Sequence, residues 1–235
     1  MTSYQRISFL VFGLLLSTSF TVAAQSFTVG SDLMSRYVWR GYDFGESLSI
    51  QPTLAVSAGA FELGTWASYS ISADGSGANE HDIYISYGID LGESGSIGLA
   101  LTDYYFPSPD GLGFFEFDGD GDGAHWIEPA ISYSGPESMP ISLMAAMFIH
   151  NDPDNSLYLE ASYPVTVEDV ELGFTLGAVA GESGFYGTDG FSLVNVGITA
   201  SRTIPVTDRF ELPVSVSYVL NPDTERTFLV FGVSF

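Results

Sequence analysis

Thr227-Phe228-Leu229-Val230-Phe231-Gly232-Val233-Ser234-Phe235 puts an apolar or near-apolar residue at every odd position and finishes on an aromatic ring. Strict period-two alternation marks a β-strand with one apolar face. A strand of this kind suits a wall that meets hydrocarbon on one side, and the rest of the chain repeats its pattern.

At the other end, Arg6 precedes an apolar run from Ile7 to Leu16 and then small and polar residues through Val22-Ala23-Ala24. This is the layout of a secretory signal peptide over residues 1–24, leaving 25–235 as one exported domain. Beyond it no apolar run approaches the ~18 to 20 residues that a spanning helix needs. A membrane passage therefore requires a closed β-barrel, because only helices and closed sheets satisfy every backbone group in lipid.

Composition narrows the function. The chain has no cysteine, so disulfides and thiol chemistry are excluded. Its 29 acidic residues stand against 6 basic ones, all arginine, for a formal charge of -23. Nucleic acid needs a basic footprint and is excluded as a partner, whereas cations are favoured. Charged residues make up only 15% of the chain, while Gly, Phe and Tyr are abundant, as expected where one strand face meets lipid.

The sequence divides into about twelve alternating segments separated by turn chemistry, which predicts an all-β, transmembrane antiparallel barrel. Outward positions run through Phe27, Val29, Leu33, Tyr37 and Trp39 on the first strand, through Leu63, Ala67 and Tyr69 on the third, and through Val194, Val196 and Ile198 late in the chain. None of the outward residues assigned this way carries a charge. Alternating the strand direction places Tyr37, Trp39, Tyr69, Tyr105 and Tyr218 at one rim and Phe27, Phe61, Tyr87, Tyr133, Tyr163 and Phe235 at the other. Two aromatic girdles are a membrane feature that a soluble β-sandwich has no reason to build. Connections alternate as well. Longer loops such as 41–47, 72–79, 107–123 and 181–190 are expected outside the cell, and short turns in the periplasm. Pro52, Pro129 and Pro213 fall inside strands, where bulges or strand ends are expected.

Ser31-Asp32, Ser35-Arg36-Tyr37-Val38-Trp39-Arg40-Gly41, Ile50-Gln51-Pro52 and Gly64-Thr65-Trp66-Ala67, followed by Asp82-Ile83-Tyr84, Tyr104-Tyr105-Phe106-Pro107 and Leu157-Tyr158-Leu159-Glu160, resemble in order the TorF family of porins. The resemblance implies a channel in the cell outer membrane, surrounded by its lipid and lipopolysaccharide, with no catalytic residues. Leu229, Phe231, Val233 and Phe235 likewise resemble the terminal signal that such barrels present to the barrel-assembly machinery.

Inward positions would line the channel. Asp32, Arg36 and Arg40 alternate with aromatics on the first strand, and Glu62, Glu80, Asp82, Asp90, Glu128, Glu160, Glu171 and Arg226 fall inward elsewhere. Arg36, Arg40, Glu80, Asp82, Glu128 and Arg226 should share the outer half. They form either an ion-selecting constriction or buried salt bridges that brace a filled lumen, and for Arg36 and Arg40 the structural role is favoured. Asp118, Asp120 and Asp122 alternate with glycines like the first half of a calcium loop, but position twelve is Pro129 and no helix follows, so a solvated loop is the simpler reading and calcium the only candidate cofactor. His81, His125 and His150 lack a neighbouring serine, a Gly-x-Ser-x-Gly elbow or metal spacing, which argues against an enzyme. The expected function is passive passage of small solutes or ions, with cations preferred. The alternative is a structural or adhesive barrel with a plugged lumen and functional outer loops.

Residue parity generates a first prediction. Deleting Phe235, or replacing it with a charged residue, leaves unfolded protein in the periplasm, while the same change at Ser234 is mild; cell fractionation reads the difference, and equal tolerance at both positions would refute the terminal-signal reading.

Overall fold

The computed structural model describes residues 25–72, 79–107 and 112–235, so the proposed signal segment 1–24 lies outside the described residues. Twelve strands form one closed antiparallel barrel. They are β1 (Gln25–Met34), β4 (Ser49–Ala58), β5 (Phe61–Ser70), β6 (Glu80–Asp90), β7 (Ser96–Tyr105), β8 (His125–Ser134), β9 (Ser142–Met147), β10 (Leu157–Val167), β11 (Val170–Val179), β14 (Ser192–Thr207), β15 (Phe210–Asn221) and β16 (Arg226–Ser234). Two small hairpins stand apart from the wall: β2–β3 (Val38–Trp39 and Tyr42–Asp43) and β12–β13 (Glu182–Ser183 and Thr188–Asp189).

Each wall strand pairs with its neighbours along the chain, and β1 meets β16 to close the ring. Asp32, Leu33 and Met34 face Ser234, Val233 and Gly232, and reciprocal backbone bonds of 3.2 and 3.0 Å join Ser31 to Phe235. Closure removes the free edges that an open sheet would expose. Parity follows the predicted pattern, since Leu229 and Phe231 are 52% and 56% exposed while the intervening Phe228 and Val230 are 9% and 4% exposed. Two-residue turns at 59–60, 168–169 and 208–209 and connections at 91–95 and 135–141 gather at one end. The other end carries the longest connections, beginning with 35–48, together with the four-residue turn 222–225.

The strand prolines sit where a ladder is already interrupted. The β4–β5 ladder passes from Ile50↔Tyr69 directly to Thr53↔Trp66, skipping Pro52. Pro129 lies just before the β8–β9 ladder, which starts at Ala130, and Pro213 just before the β15–β16 ladder, which starts at Val214. Each proline therefore spends its missing donor where no partner waits for it.

Three expectations are corrected. The first wall strand ends at Met34, so Tyr37 and Trp39 do not stand on the outer rim; Tyr37 is 6% exposed and Trp39 packs among lumen aromatics. Val194, expected outward, is fully buried inside, because the β11–β14 register shifts between Gly177 and Ala178 and sends one extra residue of β14 inward. The outward face is also not free of charge: Asp103 occupies the outward position between Leu101 and Tyr105 and binds His125.

The split between short turns and long loops yields the second prediction. In this cysteine-free chain, Gly119→Cys is labelled by a membrane-impermeant thiol reagent on whole cells, whereas Glu137→Cys is labelled only after permeabilisation. Labelling in the reverse pattern would invert the orientation.

Candidate functional site: the lumen

After Met34 the chain turns inward and builds the β2–β3 hairpin, whose tip is Arg40-Gly41. Both tip residues have positive φ, +49° and +85°, as a tight two-residue hairpin turn demands. Glycine is required at 41 for a second reason: a Cβ there would run into the Val194 carbonyl on the facing wall. Asn221 Nδ2 donates to the Gly41 carbonyl at 3.2 Å and fixes the tip against β15. The hairpin thus reaches from the β1 side of the lumen to the β14–β15 wall.

A second hairpin, β12–β13, meets it. Ser156 and Ser183 hydroxyls lie 2.5 Å apart, and Gly184 N–H donates to Asp154 Oδ2 at 2.6 Å, which ties this hairpin to the 148–156 loop. Its tip carries Phe185 and Tyr186. Tyr42 donates to the Tyr186 carbonyl at 2.6 Å, so the two hairpins are bonded directly to each other. Around them Phe148, Tyr158, Val179, Tyr186 and Val194 form a buried cluster, with Trp39, Tyr104, Trp126 and Phe185 packed against it. Gly177 leaves the room that the Tyr158 ring occupies.

Arg40 is the polar centre of this cluster. Its Nη1 and Nη2 donate to Glu128 at 2.7 and 2.9 Å in a bidentate pair, and Nη1 also donates to the Tyr186 hydroxyl at 2.7 Å. The guanidinium lies 4.2 Å from the Trp39 ring centre and 4.3 Å from that of Tyr158. Tyr104 donates to the same carboxylate at 2.9 Å. A planar, delocalised cation is the group that can be paired edge-on and stacked face-on at once.

Of the inward residues expected to share the outer half, the structure brings Arg40 and Glu128 together. It places Glu80 beside Asp82, with Tyr37 hydrogen-bonded to Glu80. Arg36 instead pairs at 2.8 Å with Asp43 of its own hairpin, and Arg226 is exposed at the start of β16. Near the short-turn end, Glu62 accepts from Ser57 at 2.8 Å and from Tyr84 at 3.1 Å; Glu160, in the long-loop half of β10, accepts from Tyr158 at 2.6 Å. Asp32 faces inward from the seam strand beside Gln51. Beneath the hairpins lies a cavity of about 290 Å³ lined by Gln51, Glu160, Thr175, Asn195, Thr199 and Ser217 together with Arg36 and Arg40.

Asp118, Asp120 and Asp122 are not drawn onto a common centre; among the described residues no group of three or more His, Asp or Glu side chains is placed to hold a metal. Asn151 organises that loop, accepting from Gly121 and Gly123 N–H at 2.8 and 3.1 Å and donating to the Gly123 carbonyl at 2.7 Å. Sequence reasoning missed the β12–β13 hairpin and the role of Tyr186. The available signal was an aromatic pair, Phe185-Tyr186, in a glycine-rich stretch that was assigned to water.

A closed twelve-stranded antiparallel barrel with long loops folded into a polar lumen is the architecture of a porin-type barrel. The chain belongs to the Gcw_chp family, described as a bacterial protein of unknown function, whose model matches residues 20–219. Among solved structures it is similar to a KdgM porin, with a TM-score of 0.53 and 12% identity, covering 88% of this chain and 97% of that one; this likeness concerns the fold. No curated protein matches by sequence.

The Arg40–Glu128 pair, 7% and 3% exposed, gives the third prediction. Arg40→Ala strands a buried carboxylate and costs about 3–5 kcal/mol, whereas Arg40→Met combined with Glu128→Leu costs far less. Denaturant unfolding of the refolded barrel measures both, and equal losses would show that the pair does not act as a unit.

Proposed function

We propose that this protein is an outer-membrane channel of the porin type that passes small solutes or ions, prefers cations, and is narrowed at its long-loop end by the two inward hairpins. The observation that carries the reading is the meeting of β2–β3 and β12–β13 inside a closed barrel, above inward positions that are polar and mostly acidic. A ring of charge in a narrow, low-dielectric passage acts on permeating ions more strongly than the same charge at an open surface. The TorF-like motif order and the porin-type fold support this role. The reading includes a removable signal peptide, delivery to the barrel-assembly machinery and no enzymatic activity.

A second reading has its own support. Tyr158, Phe148, Val179 and Val194 are at most 1% exposed, so part of the outer half is a packed aromatic core, as a plugged structural barrel would have. The two readings differ in whether the hairpins leave a path beside them or fill the section.

Planar-bilayer recording of refolded protein decides between them. The channel reading expects small, cation-selective conductances from the wild type, and larger ones when Val38–Asp43 is replaced by a short Gly-Ser link. Glu62→Gln with Glu160→Gln weakens cation preference, more at low than at high ionic strength, because salt screens the remaining field. Anion preference would overturn the charge assignment. A silent wild type that conducts only after hairpin replacement would favour the plugged barrel.

A further inference from the structure

We propose that the inner wall carries a site for one hard divalent cation of the calcium type, held by Glu80, Asp82 and Ser68 at the stem of the β2–β3 hairpin. The site does not depend on whether the barrel conducts, since an open channel and a plugged one would hold the ion alike.

Glu80 and Asp82 stand two residues apart on β6 and so share its inward face. Both are buried, at 2% and 7% exposure, and their carboxyl groups lie within hydrogen-bonding reach of each other. Across the β5–β6 ladder Ser68, 1% exposed, lies directly opposite Glu80, which puts its hydroxyl against the same carboxyl groups. Tyr37, from the stem that leads into β2, closes the corner. It bonds Glu80 and packs at 5.2 Å between ring centres on Trp66, the residue opposite Asp82.

Two adjoining carboxylates taken out of water cannot both stay ionised without a counter-charge. No side chain supplies it. Among the described residues the ion pairs join Arg36 to Asp43, Arg40 to Glu128, His125 to Asp103 and Arg202 to Asp169, and none includes Glu80 or Asp82. Tyr104, opposite Asp82 on β7, gives its hydroxyl proton to Glu128 instead. The neutralising charge is therefore either a proton or an added cation.

Two orphaned oxygens separate these possibilities. Asp82 Oδ1 and Ser68 Oγ are both buried without a hydrogen-bond partner. A proton shared between the carboxyl groups satisfies one oxygen of each and leaves those two atoms unsatisfied, a costly state for buried polar groups. A cation that bridges the carboxylates takes both as ligands. All the donors are oxygen, which suits a hard ion and not zinc or copper, and two negative charges match a divalent one. Calcium accepts irregular sets of about six to eight oxygens, with carboxylates bound through one or both atoms, whereas magnesium demands a near-ideal octahedron and keeps several of its waters, for which this enclosed corner leaves little room. The cavity beneath the hairpins reaches Tyr37 and gives the ion a way in from the lumen.

Refolded barrel stripped with EGTA is titrated with calcium chloride in sodium chloride buffer by isothermal calorimetry, and the bound ion is counted by native mass spectrometry. One calcium per barrel is expected in the wild type and also in Asp120→Asn with Asp122→Asn, which removes the acidic loop as an alternative. Glu80→Gln and Asp82→Asn each abolish binding. Ser68→Ala weakens it about tenfold, as the loss of one oxygen partner of a charged group should, while Ser86→Ala, further along the inward face of β6, leaves it unchanged. Terbium in place of calcium gives emission sensitised by Trp66, which Trp66→Phe loses while still binding calcium. The two carboxamide substitutions remove buried charge and so preserve the fold: EGTA lowers the Tm of the wild type and leaves that of the Glu80→Gln, Asp82→Asn double variant unmoved. A wild type that retains no calcium, calcium retained by both single carboxamide variants, or magnesium retained equally well overturns the proposal. Should the wild type bind no calcium but lose stability as pH rises, in a way the double variant does not, the pair holds a shared proton and the metal site is overturned.

Discussion

Every backbone donor and acceptor in the wall has to be paired within the sheet, and that constraint organises the rest of this molecule. A spanning structure in hydrocarbon has no water to satisfy a broken ladder. The sheet therefore closes on itself through β1 and β16, and its prolines are confined to places where one ladder has lapsed. The same rule accounts for the early end of β1. A wall strand continued to Arg40 would place Tyr37 and Trp39 outward, whereas turning at Ser35 frees the segment to form its own small hairpin with its own backbone pairs.

That turn determines what the lumen contains. A ring of twelve strands encloses more space than its inward side chains fill, and the two hairpins occupy the long-loop half of it. Their contents are unusual for an interior because the arginine comes with them. Arg40 can be buried because Glu128 neutralises it in a bidentate pair while Tyr186, Trp39 and Tyr158 cover its remaining surface. Removing either charge alone is costly, which ties the position of β2–β3 to β8 and, through Tyr186, to β12–β13.

Strands were legible because their signal is local: alternation at Leu229, Phe231 and Val233 fixes parity whatever lies opposite. The number of strands and the split into short turns and long loops followed from the same pattern. The inward hairpins were less legible, since Ser35 to Arg40 alternates as well as a wall strand does and only the Arg40-Gly41 turn, with both residues at positive φ, reverses the chain. Val194 was misplaced because a bulge changes parity without leaving a mark in the alternation. Asp103 was passed over for a related reason. An acidic residue on an outward position contradicts the pattern, and the partner that makes it tolerable, His125, is distant in sequence and brought close only by the β7–β8 register.

The arrangement of arginines bears on how the lumen's charge should be counted. Arg36 is paired with Asp43, Arg40 with Glu128 and Arg202 with Asp169, and the first two are the cations nearest the narrowed section. Each therefore brings a carboxylate with it and adds little net field. Glu62 and Glu160 are held by neutral hydroxyl donors. Asp32 has no ion pair among the described residues, so these three acids are not offset by a cation at their own positions. Counts of arginines and acids taken from the sequence both overstate the free charge that a permeating ion would meet, by the same number for each pair. Because each pair removes one acid with one arginine, the net negative balance set by composition is unchanged, but the charges left without an ion pair beside the narrowed section are acids, which is why the proposed channel favours cations even though its tightest point is built around a guanidinium.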